Sequence, residues 1–131
     1  MAADRGVDVR LLLPLKPDHA LTAAAGRAHY SKLMAAGVHI HLYRPGLLHS
    51  KTVTVDDDLA LFGSANLDVR SFNLNFETTL LLYGRSPTDR LRAIQEKYLA
   101  ASTPLNLDTW NQRPLIKRYT DSAISLLSPI L

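Results

Sequence analysis

An α/β fold, a mixed β-sheet flanked by helices, is the class this sequence predicts, and three observations predict it. Strand, helix and strand patterns follow one another between Val7 and Tyr43. A hairpin pattern with an all-aspartate turn follows them. An amphipathic helical segment then begins near Ser86-Pro87. Residues 1–131 have the size of a single domain with a real core, and one domain is the expectation.

Met1 to Gly6 is too short for an element of its own and reads as the stub of a helix that begins elsewhere. Val7 to Leu13 is apolar and β-branched and is stopped by Pro14, as a buried strand is. Asp18 is placed to cap a helix through the Ala-rich run Leu21 to Ala36, which Gly37 ends in the left-handed conformation. Val38 to Tyr43 alternates with period 2 and completes a βαβ unit, for which a right-handed crossover is expected. The same alternation puts His39 and His41 on one strand face. Such a pair can ligate a metal, but with no third ligand nearby it reads as a polar rim.

Lys51 to Val55 and Leu59 to Phe62 form the two arms of a hairpin turned at Asp56-Asp57-Asp58. Gly63-Ser64-Ala65-Asn66 leaves the second arm through a glycine expected to let backbone approach a ligand closely. Phe76 to Tyr83 is a further strand. Ser86 caps a helix with Pro87 at its first position, and Leu91, Ile94, Tyr98 and Ala101 are spaced to pack on the sheet. Asp108 is a candidate cap for a short turn around Trp110. Leu115 to Leu127 makes a last helix, with Leu115, Tyr119, Ala123, Leu126 and Leu127 on one side and Lys117, Arg118, Asp121 and Ser122 on the other. The apolar side is expected to pack on the domain, with lipid contact as the other fate of such a face.

The absence of cysteine excludes disulfides, thiolate nucleophiles and Cys-based zinc sites. No stretch approaches the roughly 20 apolar residues of a membrane span, and no export signal is expected in the chain as given. Residues 1 to 55 carry seven Lys/Arg against three acids, whereas the remainder carries eight against nine. The basic first half favours anionic partners only weakly, and a solvated surface is the commoner reading of such charge.

Chemistry concentrates between Leu48 and Glu77. His49 and Lys51, two apart on an extended segment, leave the same face. An imidazole beside an ammonium suits a phosphodiester: neutral His can attack phosphorus or move a proton, and the cation can hold a non-bridging oxygen. Asn66 and Ser64 can add donors to the phosphate. Asp56, an odd number of residues from Lys51, points the other way and is expected to hold the hairpin by hydrogen bonds. Glu77 can accept from an imidazole and fix its tautomer. Arg70, Tyr30 and Tyr43 are open between contact with a headgroup and a bracing role.

The run His49-Ser50-Lys51, then Asp56, then Gly63-Ser64-Ala65-Asn66 resembles the HKD signature of the phospholipase D superfamily, fixing six residue types over eighteen positions. The phrases RGVDVRLLLP, YRPGLLHSKT, GSANLDVRSFNLNFE and LLSPIL resemble the C-terminal half of bacterial cardiolipin synthases. The resemblance implies a phospholipase D-like half-domain. It implies phosphatidyl transfer between two phosphatidylglycerols through a phosphohistidine, with no metal or other cofactor required. His49, Lys51, Asp56 and Glu77 are then the catalytic set, His49 the acid/base histidine of the second motif, and Lys51, Ser64 and Asn66 the phosphate grip. It also implies a peripheral place on the cytoplasmic face of the bacterial inner membrane.

Only one motif is present, and double displacement needs two histidines. The second HKD half is expected from the same parent chain or from a homodimer. Two other readings stay open: a metal-independent phosphodiesterase or nuclease built as a homodimer, with nucleic acid the less favoured substrate, and an inactive fragment that binds a partner or lipid. The acceptor, whether phosphatidylglycerol, another phospholipid or water, is not specified by the residues.

Overall fold

The computed structural model describes residues 2–17, 20–64 and 76–126. They fall into two compact units, 1–48 with 101–131 and 49–100.

In the first unit, a 3-10 turn (Ala3–Arg5) precedes β1 (Val9–Pro14), and α1 (Ala20–Arg27) and α2 (Tyr30–Ala35) lead to β2 (Val38–Tyr43). β1 and β2 pair in parallel, Val9 opposite Val38 and Leu11 opposite Ile40, as the βαβ pattern predicts. The crossover is two helices rather than one. The His29 amide bonds back to Gly26 and the Leu33 amide restarts the ladder on His29. Glycine's poor helix propensity weakens this point. Gly37, at φ 91°, ends α2 as predicted; the expected cap Asp18 lies outside the described residues.

A short strand that periodicity does not announce, β6 (Ser102–Pro104), runs antiparallel to β2 on its other edge, making a mixed sheet in the order β1-β2-β6. Pro104 is tolerated because β6 is an edge. On this sheet Ile40 is almost fully buried and Val38 buried, with Ala24 and Ala25 of α1 the other buried apolar residues among those described in the unit. On the opposite strand face, the exposed His39 lies 3.9 Å from Asp8, which also pairs with Arg10.

After β6 come α4 (Leu107–Asn111) and α5 (Leu115–Leu126), while α3 (Arg85–Ala100) belongs to the second unit. The cap of α4 is Asn106, not Asp108: its Oδ1 accepts from the amides of Asp108 and Thr109. Helix α5 packs against α1, but not by the expected side. Its buried residue is Asp121, which accepts from Arg27 Nη2 at 3.0 Å and Arg113 Nη1 at 3.1 Å. Leu115, Tyr119 and Leu126, expected inside, are exposed. Three charge-assisted bonds to one carboxylate, two from Arg27 and one from Arg113, outweigh the apolar pattern in setting which side turns in. Arg113 also lies 3.4 Å over the Trp110 ring, which stacks with Tyr30 at 5.2 Å between centroids. Tyr30 is therefore a brace, and burial pushes its phenol above the usual value.

The second unit is an antiparallel meander, β3 (Lys51–Val55), β4 (Leu59–Gly63) and β5 (Thr79–Tyr83), followed by α3 (Arg85–Ala100). The predicted hairpin is present, Val55 opposite Leu59 across the aspartate turn. β5 starts at Thr79 rather than Phe76, and α3 starts at Arg85, which puts Ser86 inside the helix instead of at its cap. The side of α3 that meets the sheet is led by polar residues. Thr88 is fully buried and donates to the Gly84 carbonyl. The Gln95 amide accepts from Thr54 Oγ1 (2.8 Å) and donates to Thr52 Oγ1 (3.1 Å). Ile94, expected on that side, is exposed. Among the described residues no helix is long and apolar enough to cross a membrane.

Candidate functional site

Cross-strand register gathers the site. Lys51, the first residue of β3, lies opposite Gly63, the last of β4, and Gly63 lies opposite Thr79, the first of β5. His49, Ser64 and Glu77 are the residues flanking those three strand ends, so one end of the meander carries the polar set. Thr52 and Thr54 turn toward α3 through Gln95, so strand alternation sends Lys51 out of the other face.

The Lys51 ammonium sits 2.7 Å from His49 Nε2 and 3.0 Å from the His49 carbonyl oxygen. An ammonium has no lone pair and can only donate, so Nε2 is the acceptor and the ring proton is on Nδ1. The Nε2 lone pair, the one an imidazole uses to attack phosphorus or to take a proton, is thus capped by the cation. His49 is exposed and Lys51 half-buried, which leaves this pair open to a bulky phosphodiester.

Ser64 and Glu77 form a second pair. The Ser64 hydroxyl donates to Glu77 Oε2 and accepts from the Thr78 amide at 3.0 Å, while the Ser64 amide donates to the Thr78 carbonyl at 3.0 Å. Donating to a phosphate therefore requires the Ser64 hydroxyl to leave Glu77. The close approach that Gly63 permits is to backbone: an added Cβ would stand 2.5 Å from the Thr78 carbonyl oxygen and 2.9 Å from Thr79 Cα.

Asp56 is not brought to this end. It opens the β3–β4 turn at φ 48°, a full strand of roughly 17 Å from Lys51. The acid that braces the hairpin is Asp57, its oxygens accepting from Arg92 at 2.9 Å and Arg85 at 3.0 Å. The hydrogen bond from Arg92, then that from Arg85, holds the Asp57 carboxyl below the usual range. Sequence reasoning missed Asp57. Its only signal is the pair of arginines seven apart on the following helix, which two helical turns bring to one side. Asn66 and Arg70 lie outside the described residues.

The family described as "Cardiolipin synthase, PLD-like domain" matches residues 1–99. The chain belongs to that family. Cardiolipin synthase A of Salmonella arizonae and that of Salmonella newport are each 45% identical to it over 130 residues, which is 99% of this chain and 27% of either relative. The chain thus spans about a quarter of the length of the curated relatives it matches. The crystal structure of phosphatidylserine synthase from Haemophilus influenzae Rd KW20 superposes with a TM-score of 0.67 at 19% identity, covering 98% of this chain and 37% of that one. That likeness supports the α/β, phospholipase D-like fold.

Proposed function

We propose that this chain supplies the second HKD motif of a phosphatidyltransferase that makes cardiolipin from two phosphatidylglycerols. The observation that carries the reading is the Lys51 ammonium at 2.7 Å from His49 Nε2 on an open strand end, within a cardiolipin synthase-type domain. An arriving phosphodiester offers Lys51 a stronger acceptor than a neutral imidazole. The ammonium moves to the non-bridging oxygen, and the Nε2 lone pair is released as the substrate is gripped.

In the first step a histidine from the other half attacks phosphorus and forms the P–N bond. The P–O bond to the glycerol headgroup breaks, and the leaving oxygen takes its proton from His49, whose released Nε2 has first taken one up from solvent. In the second step His49 takes the proton from the hydroxyl of another phosphatidylglycerol, whose oxygen attacks phosphorus as the P–N bond breaks. Glycerol and cardiolipin result. Ser64 and Asn66 add donors to the phosphate, and Glu77 holds Ser64 or orients a histidine. Asp56 serves the turn rather than the proton transfers. The other motif comes from the parent chain, and the enzyme works on the cytoplasmic face of the inner membrane.

The test is His49→Ala in the two-motif enzyme, with transfer followed by release of labelled glycerol. General acid/base loss of about 10²- to 10⁴-fold is expected. Unaltered transfer refutes the assignment.

A further inference from the structure

A hydroxyl stands across the strand ends from Lys51. Residues directly opposite on neighbouring strands send their side chains out of the same face, and Lys51, Gly63 and Thr79 are opposed in one row. Thr79 therefore shares with Lys51 the face turned away from α3. A Cβ on Gly63 would stand 2.7 Å from Thr79 Oγ1, so this hydroxyl leans into the space that a side chain at position 63 would fill. Glycine itself puts nothing there.

β3 and β5 flank β4 and are two strand spacings apart, about 9.5 Å, with the bare backbone of Gly63 between Lys51 and Thr79. The Lys51 side chain borders this gap on one side and the Thr79 hydroxyl on the other. A tetrahedral anion resting over Gly63 can accept from both, the ammonium on one oxygen and the hydroxyl on another. The next row of the same face is apolar throughout, Val53, Leu61 and Leu81, so the donors of Lys51 and Thr79 stand together at the end where His49 lies. Thr79 is exposed, whereas the Ser64 hydroxyl is already given to Glu77. Of these two hydroxyls, that of Thr79 can meet a phosphate without first breaking a bond to a carboxylate.

We propose that Thr79 is a substrate-binding residue whose hydroxyl donates to a non-bridging phosphate oxygen, across Gly63 from the oxygen held by Lys51. This assignment rests on the reading of His49 and Lys51 as a phosphodiester site. It gives the side-chain-free position 63 a second purpose, since a residue with a side chain there would stand between the two donors.

Thr79→Val removes the hydroxyl and keeps a β-branched residue at an exposed strand position, so circular dichroism and urea denaturation should show the native fold. In the two-motif enzyme, kcat/KM for release of labelled glycerol should fall about 10- to 100-fold in Thr79→Val, the range for losing one hydrogen bond to a charged group. Thr79→Ser, which restores the hydroxyl, should recover most of that loss. Transfer by Thr79→Val equal to that of the unaltered enzyme overturns the proposal, and so does a loss that Thr79→Ser shares in full. A second measurement needs no turnover. Inorganic phosphate added to this chain alone should shift the His49 ring resonances in nuclear magnetic resonance, with an affinity several-fold weaker in Thr79→Val. Equal affinity in the two chains overturns the proposal, as does the absence of any shift in the unaltered one. If His49→Ala leaves transfer unaltered, the reaction proposed at His49 fails by itself, and the phosphate titration still decides the role of Thr79.

Discussion

Replacing Gly63 by alanine tests the geometry that assembles the site. The new Cβ would meet the Thr78 carbonyl oxygen at 2.5 Å, Thr79 Oγ1 at 2.7 Å and Thr79 Cα at 2.9 Å. The hydroxyl can rotate away, but the other two atoms are backbone. Restoring an ordinary contact of 3.4 Å requires about 0.9 Å of separation from the Thr78 oxygen. That movement stretches the Ser64 amide bond to the same oxygen from 3.0 Å past the useful range. Overpacking costs about 1–3 kcal/mol and the weakened bond about 1 kcal/mol more, while alanine's smaller unfolded-state entropy returns roughly 0.5–1 kcal/mol. A net loss of about 2–3 kcal/mol is expected in urea denaturation followed by circular dichroism. The control is Gly26→Ala in α1, where nothing lies within 4 Å, and a gain of about 0.5 kcal/mol is expected there. If Gly63→Ala unfolds within about 0.5 kcal/mol of the unaltered chain, the close approach of β4 to β5 is not what holds Ser64 beside Glu77.

Other changes probe other parts of the molecule. Asp56→Asn should keep both stability and, in the two-motif enzyme, transfer within a few-fold, whereas Asp56→Val should lose about 1–2 kcal/mol because a β-branched residue resists a φ of 48°; a collapse of transfer in Asp56→Asn with stability unchanged would give Asp56 a chemical role. Asp121→Ala removes the acid between two arginines that are themselves only partly buried, and about 3 kcal/mol should be lost in the same denaturation assay. Burial, followed by the charges of His39 and Arg10, lowers the His41 value from its usual 6.5, with Asp8 opposing. The unfolded chain therefore holds more protons between the lowered value and 6.5, so stability rises with pH through that window and is diminished below it. In His41→Gln the dependence of Tm on pH over that range should flatten.

The parts of the fold that were legible in the sequence are those fixed by local pattern. Period 2 in VHIHLY, the turn residues between KTVTV and LALF, and Gly37 after an Ala-rich run each act within a few residues of themselves. The pairing of His49 with Lys51 was legible for the same reason. What stayed hidden depends on partners far along the chain. Asp121 faces inward because Arg27, 94 residues away, reaches it, and that pairing overrides an apolar stripe that local reasoning sends inside. Gln95 and Thr88 look like surface residues until the threonines of β3 and the Gly84 carbonyl supply their bonds. β6 is three residues ending in proline, and only the free edge of β2 makes it a strand.

The adjacency of β2 and β6 has a consequence for how the chain folds. Tyr43 stands opposite Ser102, and the Arg44 amide bonds to the Ala101 carbonyl at 3.4 Å, so residues 49–100 enter and leave from neighbouring points on one sheet. The segment bearing the motif is therefore an excursion closed at its base, with strand pairings and helix packing drawn from within itself. It can condense on contacts drawn from within residues 49–100, whereas the first unit must wait for synthesis of Asp121 before Arg27 finds its partner. On a ribosome, the strand ends that carry His49, Lys51, Ser64 and Glu77 would take shape before the last helix of the first unit has been synthesised.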